Sequence, residues 1–234
     1  MELEAARGLG SGRVLLWVSD AELASMLADA LKAFGLNAHV PKASRIHEGL
    51  DCKGIIAVVI EAYTPLPKGL AGECLGGARI VEVDSSRVFA SMAKTLREVV
   101  DVSYIAIGVD PGKTIGLGVV ADARLVYGGV VSRLGDLRRL FCEVYGGAGG
   151  ARVVVGVGRA PGVREVASIV RAYALECGLE ALEVDEHSSN SDLLAPVPPH
   201  IPPSWRRHVK AASSIALRLS LGLFDRGRTK PHSL

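Results

Sequence analysis

Residues 104–131 constrain the fold more than any other part of the chain. Three apolar runs, 104–109, 116–121 and 125–131, follow one another with only short Gly- and Asp-containing connections. Parallel neighbours need a crossover of a dozen or more residues, so runs this close together pair as an antiparallel meander. The rhythm then changes. A helix is expected over 136–145, closed by the Gly-rich stretch 146–150, then a strand over 152–157. A helix over 163–177 stops at Gly178 and a strand follows over 179–184. A Pro-rich loop, 196–203, leads into a last helix from about Trp205 to Phe224. The expected order is β-β-β-α-β-α-β-α.

The N-terminal half reads differently. A buried strand is expected over 13–19 (RVLLWVS), with Asp20 as the N-cap of a helix. Leu23, Met26, Leu27, Ala30, Leu31 and Phe34 recur at helical spacing, and Gly35 stops them. Strands over 37–40, 54–60 and 78–83 alternate with helices over 65–76 and 88–100. This β-α-β pattern predicts an α/β chain of two domains, the first (1–102) a small Rossmann-like parallel sheet with helices. No GxGxxG fingerprint supports dinucleotide binding. Asp20 and Glu61 follow strands, where a helix cap or a solvated loop explains them. This half suits a partner-binding or substrate-positioning module.

Composition sets the outer limits. The 234 residues are 49% apolar, enough for each half to bury a core. A formal net charge of +2 excludes a histone-like polycation. Cys52, Cys74, Cys142 and Cys177 form no CxxC pair and have no His cluster beside them. They read as buried free thiols, which suits a cytoplasmic protein. No apolar run reaches membrane-span length, and residues 1–10 have no apolar signal core. Glutamine is absent and only Asn37 and Asn190 are asparagines, a depletion that leans towards a thermophile or a skewed genome.

The strongest local feature is IGVDPGKTIGLG, residues 107–118. An apolar strand delivers Asp110 at its end, and Gly108, Gly112, Gly116 and Gly118 leave room for another chain or a substrate. A rigid carboxylate with open space suits Mg²⁺, which takes a few carboxylates and keeps positions for water and phosphate. A tight turn in which Asp110 caps backbone amides accounts for the residues equally well. GVDPGKT is not a P-loop: three residues, not four, separate the first glycine from Gly-Lys, and a strand follows instead of a helix.

IGVDPGKTIGLGVVAD resembles the first motif of the RuvC and YqgF group of RNase H-like nucleases. VVVGVGRAPG (153–162), LEVDEHSSN (182–190) and HVKAASSIALRLSL (208–221) are similar to later segments of that group, in the same order. The resemblance spans residues 103–221 and implies an RNase H-like mixed sheet for the second domain, 103–234, with a basic C-terminal tail. It implies Asp110 and Glu186 as ligands of Mg²⁺ or Mn²⁺, with Asp185 and Asp192 as alternative ligands. Two such carboxylates orient a water for in-line attack on a phosphodiester. The group carries an aspartate early in its last helix; here no carboxylate stands between Trp205 and Phe224, and Ala211 occupies that place. His208 matches a histidine found near there in some RuvC proteins. It reads equally as a third catalytic residue or as a first-turn histidine bonded to a neighbour. Thr114 replaces an arginine usual in YqgF proteins.

Lys113, Arg159, Arg206, Arg207 and Lys210 surround these positions in sequence and suit phosphate contacts, which are salt-dependent and sequence-tolerant. With few aromatics, backbone and shape recognition is expected rather than base reading. The resemblance therefore implies a nuclease acting on structured RNA, such as ribosomal precursor RNA, or on branched DNA, with the homodimer common among RuvC-like proteins; the lack of a span-length apolar run implies no membrane partner. The alternative is a catalytically impaired nucleic-acid-binding or assembly protein that keeps the fold.

Overall fold

The computed structural model describes residues 12–41, 52–65, 76–159, 162–185, 197–198 and 200–222. Backbone contacts divide the chain into two units: Met1–Val102 with Glu143–Ala151, and Ser103–Cys142 with Arg152–Leu234.

In the first unit β1 (Arg13–Trp17), β2 (Asn37–His39), β3 (Ile55–Glu61) and β4 (Arg79–Val83) are parallel and lie in the order β2-β1-β3-β4. The central strands bury Val14, Leu15, Leu16, Val58 and Val59 in continuous runs, as parallel strands covered on both faces do. Helix α1 (Ala21–Lys32) buries Leu23, Leu27 and Leu31. It starts where expected: the Asp20 carboxylate accepts the Leu23 N–H at 2.7 Å, and Gly35 follows its end at φ +78°. The helix expected over 88–100 is shorter. Helix α2 (Val88–Thr95) gives way to a π turn, Leu96–Val100, closed by Asp101 at φ 65°. Arg97 holds this wider turn by pairing with Asp101 and donating to the Val102 carbonyl at 3.1 Å. Residues 66–75 of the helix expected over 65–76, and the basic tail after Asp225, lie outside the described residues.

In the second unit β5 (Tyr104–Asp110), β6 (Ile115–Ala121) and β7 (Arg124–Val131) form the antiparallel meander. The turn between β6 and β7 places Asp122 and Ala123 both at positive φ, 41° and 64°, the twist that two-residue hairpins favour. The Asp122 carboxylate offsets that strain by accepting the Tyr104 N–H at 3.0 Å and the Ser103 hydroxyl at 3.1 Å. Helix α3 (Leu134–Gly147), β8 (Arg152–Arg159), α4 (Arg164–Glu176), β9 (Glu180–Asp185) and α5 (Pro203–Ser220) follow. β8 pairs parallel to β5, and β9 parallel to β8, giving a mixed sheet in the order β7-β6-β5-β8-β9. Ala106, Val120, Val154 and Val184 pack against Ile215, Ala216 and Leu219 of α5.

The cysteines correct the sequence reading. Cys142 of α3 and Cys177, just past α4, are joined by a disulfide with their Cα atoms 4.9 Å apart. Cys52 is disulfide-bonded as well, and Cys74 lies outside the described residues. The pairing follows from helix packing rather than from a spacing motif: Arg138 of α3 also reaches Glu176 at 2.6 Å. The free-thiol argument for a reducing compartment therefore falls. No helix among the described residues is long and apolar enough to cross a membrane.

The bond links residues 35 apart in sequence, a loop whose closure in the unfolded chain is worth about 3–4 kcal/mol. Replacing both cysteines, Cys142→Ser with Cys177→Ser, is expected to lower stability to denaturant by that order and to leave Cys52 untouched. An unchanged unfolding midpoint would show that the bond contributes nothing.

Candidate active site

Helix α5 lies on the sheet face that carries Ala106, Gly108 and Asp110 of β5. Its approach is set by missing side chains. A Cβ added at Gly108 would lie 2.0 Å from the Ala212 carbonyl oxygen, one at Gly116 2.2 Å from that of His208, and one at Gly118 2.6 Å from the Ser213 Cα. Real Cβ atoms do not come so close, so the helix backbone rests on the sheet backbone. The sequence reading reserved these glycines for another chain or a substrate. They receive the protein's own helix, and Gly112 alone stays in the open turn, with the Thr114 carbonyl 3.4 Å from where its Cβ would be.

This seat brings His208, in the second turn of α5, to the end of β5. Its Nδ1 lies 3.1 Å from Asp110 Oδ2 across 98 residues of sequence. Both side chains are mostly shielded, 20% and 17% exposed, yet open to solvent on one side. With Asp110 ionised, Nδ1 carries the proton and donates, which leaves Nε2 with a lone pair for a proton or a metal. Of the two readings left open for His208, it is bonded to a carboxylate, and that carboxylate is the candidate ligand itself.

The other expected residues are placed as follows. Val109 is level with Val157 of β8, which is level with Glu183 of β9. The next row therefore runs from Asp110 through Gly158 to Val184. Asp185 ends β9 beside Arg159, one row further on. Glu186 and Asp192 lie outside the described residues. Lys113, Arg159, Arg206, Arg207 and Lys210 are all exposed, and Arg206 donates one N–H to the Ile201 carbonyl at 3.1 Å. Among the described residues no three His, Cys, Asp or Glu side chains gather as a metal-binding group.

One exposed residue escaped the sequence reading. Trp205, three residues before His208, is 42% exposed. Helical spacing puts it in line with Val209 and Ala212, a signal present in the sequence, where Trp205 served only to mark the approximate start of the last helix.

The first unit holds polar groups at its strand ends, but they are mutually satisfied. Glu61 accepts the Ser19 N–H at 2.8 Å and the Ser19 hydroxyl. The Ser19 hydroxyl first, and then Ser85, hold its pKa below the ordinary carboxylate range. Asp84 accepts from the Ser86 hydroxyl at 2.7 Å and its N–H at 2.8 Å. A cleft of about 410 Å³ in this unit is lined by Arg79, Lys94 and Arg97. Their cationic groups are engaged by the Glu98 carbonyl, the Glu98 carboxylate and Asp101 respectively. It offers less chemistry than the Asp110–His208 pair.

No protein-family model matches the chain, and no curated protein matches it at a significant level.

Two outcomes follow from this geometry. Gly116→Ala is expected to cost about 1–3 kcal/mol or more through overpacking and to separate His208 from Asp110. Gly135→Ala, whose added methyl meets nothing within 4 Å, is expected to be neutral or slightly stabilising; equal losses in chemical denaturation would refute the close seating. Glu61 is the second case. Folding lowers its pKa, so its contacts stabilise the fold above the ordinary carboxylate range and are lost as pH falls through the folded value. Glu61→Gln should therefore lower the unfolding temperature at neutral pH and match the parent in strong acid. A difference that persists unchanged in acid would count against the ionised contact.

Proposed function

We propose that the second unit is an RNase H-like domain of the RuvC and YqgF kind, and that it hydrolyses the phosphodiester backbone of structured RNA or branched DNA with Mg²⁺ or Mn²⁺. The Asp110–His208 pair carries this reading: a carboxylate on a rigid strand end, solvent-open on one side, is held by an imidazole from a helix far away in sequence. The strand order adds support, since a three-strand meander continued by two parallel strands beyond β5 is the layout that the resemblance implies.

The donor set fits the cation. Both Mg²⁺ and Mn²⁺ prefer carboxylate oxygen, and Mg²⁺ is commonly held by one or two carboxylates while it keeps several waters. Asp110 would supply one carboxylate. Glu186, on the resemblance, would supply the second. When bound, the cation polarises a phosphate oxygen and activates a water. His208 orients Asp110 through Nδ1 and presents Nε2 as a proton acceptor. Lys113, Arg159, Arg207 and Lys210, with the remaining donors of Arg206, offset the repulsion between these carboxylates and a polyanion.

A second reading is a nucleic-acid-binding or assembly protein without hydrolytic activity. One observation favours it: α5 contains no carboxylate, and Ala211 stands where the resemblance calls for aspartate. On either reading, the lack of glutamine and the disulfides fit the cytoplasm of a hyperthermophile, where intracellular proteins do carry such bonds.

Cleavage of structured RNA and of four-way DNA junctions, with Mg²⁺ or Mn²⁺ supplied, separates these readings. Asp110→Asn is expected to reduce the rate by two or more orders of magnitude, about 3 kcal/mol of barrier, while binding changes little. Binding without any metal-dependent cleavage by the unmodified chain would leave the second reading. Cleavage that survives Asp110→Asn would rule out this site.

A further inference from the structure

Helix α5 overruns the sheet on which it packs. Its sheet-facing stripe consists of Val209, Ala212 and Ala216, each fully buried. Extended back by four residues, slightly more than one turn, the same stripe reaches Trp205. An apolar residue in that register belongs to the core, yet Trp205 is 42% exposed. The cause is geometric. β5 ends at Asp110, and His208 already meets that end. Trp205 stands one turn beyond it, and helical side chains lean towards the N-terminus. The indole therefore stands partly exposed at the start of α5, one turn before the His208 that meets Asp110.

Its surroundings are cationic. Arg206, Arg207 and Lys210 are exposed on the same helix, Lys113 is exposed in the turn after Asp110, and α5 contributes no carboxylate. A flat apolar ring among cations complements a nucleotide, which offers a π face and a phosphate together. An intact duplex offers the phosphate without the face, because its bases cover one another.

We propose that Trp205 is a stacking platform for an unpaired base beside the phosphate held at the Asp110 site. The substrate is then a nucleic acid with a single-stranded or splayed nucleotide at the point of attack. This rests on the reading of the second unit as a nucleic-acid-binding domain and narrows its substrate class. Stacking of one base on an aromatic side chain is worth about 5- to 150-fold in affinity, the equivalent of roughly 1–3 kcal/mol.

The test uses the full chain carrying Asp110→Asn, so that bound strands stay intact. Affinity is measured by fluorescence anisotropy for a labelled single-stranded RNA and for a blunt duplex of the same sequence. Trp205→Ala is expected to weaken single-strand binding 5- to 150-fold and duplex binding less than twofold, and Trp205→Phe is expected to restore most of the loss. The chain has two tryptophans, so in a Trp17→Phe background the remaining indole fluorescence should be quenched by single strand and not by duplex. If Trp205→Ala binds both strands as the parent does, the stacking role is wrong and the nucleic-acid reading stands. If neither strand binds, both fail together. A Trp205→Ala variant that only abolishes concentration-dependent self-association, in analytical ultracentrifugation without RNA, would assign the indole to a second copy of the chain and overturn the proposal.

Discussion

The second unit depends on one contact between backbones: helix α5 lying directly on β5 and β6. Gly108, Gly116 and Gly118 remove the Cβ layer that ordinarily keeps a helix off a sheet, and Ala212 and Ser213 keep the facing surface equally thin. Glycine inside a strand costs roughly 0.5–1 kcal/mol relative to alanine. Burial of Val209, Ile215 and Leu219 against the sheet offsets it, at about 1.5–3 kcal/mol for each large aliphatic side chain. The close seat fixes the height of His208 above the sheet, and a shift of even one methyl group would take its imidazole out of hydrogen-bond range of Asp110.

What could be read in advance followed from periodicity and chain economy. The short gaps between apolar runs dictated the β5–β6–β7 meander, and Asp20 announced the start of α1 by its position before an apolar helical stripe. Asp110 was legible because a carboxylate directly after an apolar strand has few other places to be. The contacts that escaped detection are those that depend on where elements stop or what lies beside them. Nothing in the spacing of Cys142 and Cys177 pairs them, since α3 and the end of α4 meet only in three dimensions. The π turn at Leu96 arises from local contacts of Arg97 that no propensity encodes. Trp205 marked the start of the last helix in the sequence without revealing that its ring stays partly exposed. The glycines signalled close approach correctly but not the identity of what approached.

The two units treat their strand-end carboxylates in opposite ways. In the first, Asp20 caps a helix, Glu61 is occupied by serine donors and Asp84 is bonded within its own turn. These oxygens are consumed in holding loops. In the second, among the described residues, Asp110 is met by the His208 imidazole and keeps a solvent-facing side. Similar residues at similar places thus yield scaffold in one sheet and reactive potential in the other, and the difference lies in how many donors surround each group.

The Asp110–His208 pair joins an early strand of its unit to the last helix. A chain that has formed the meander but not yet docked α5 exposes the carboxylate with its partner absent and the glycine floor bare. The pairing of Asp110 with His208 therefore exists only in the completed fold, and loss of α5 would remove the imidazole together with the apolar cover of Ala106, Val120, Val154 and Val184.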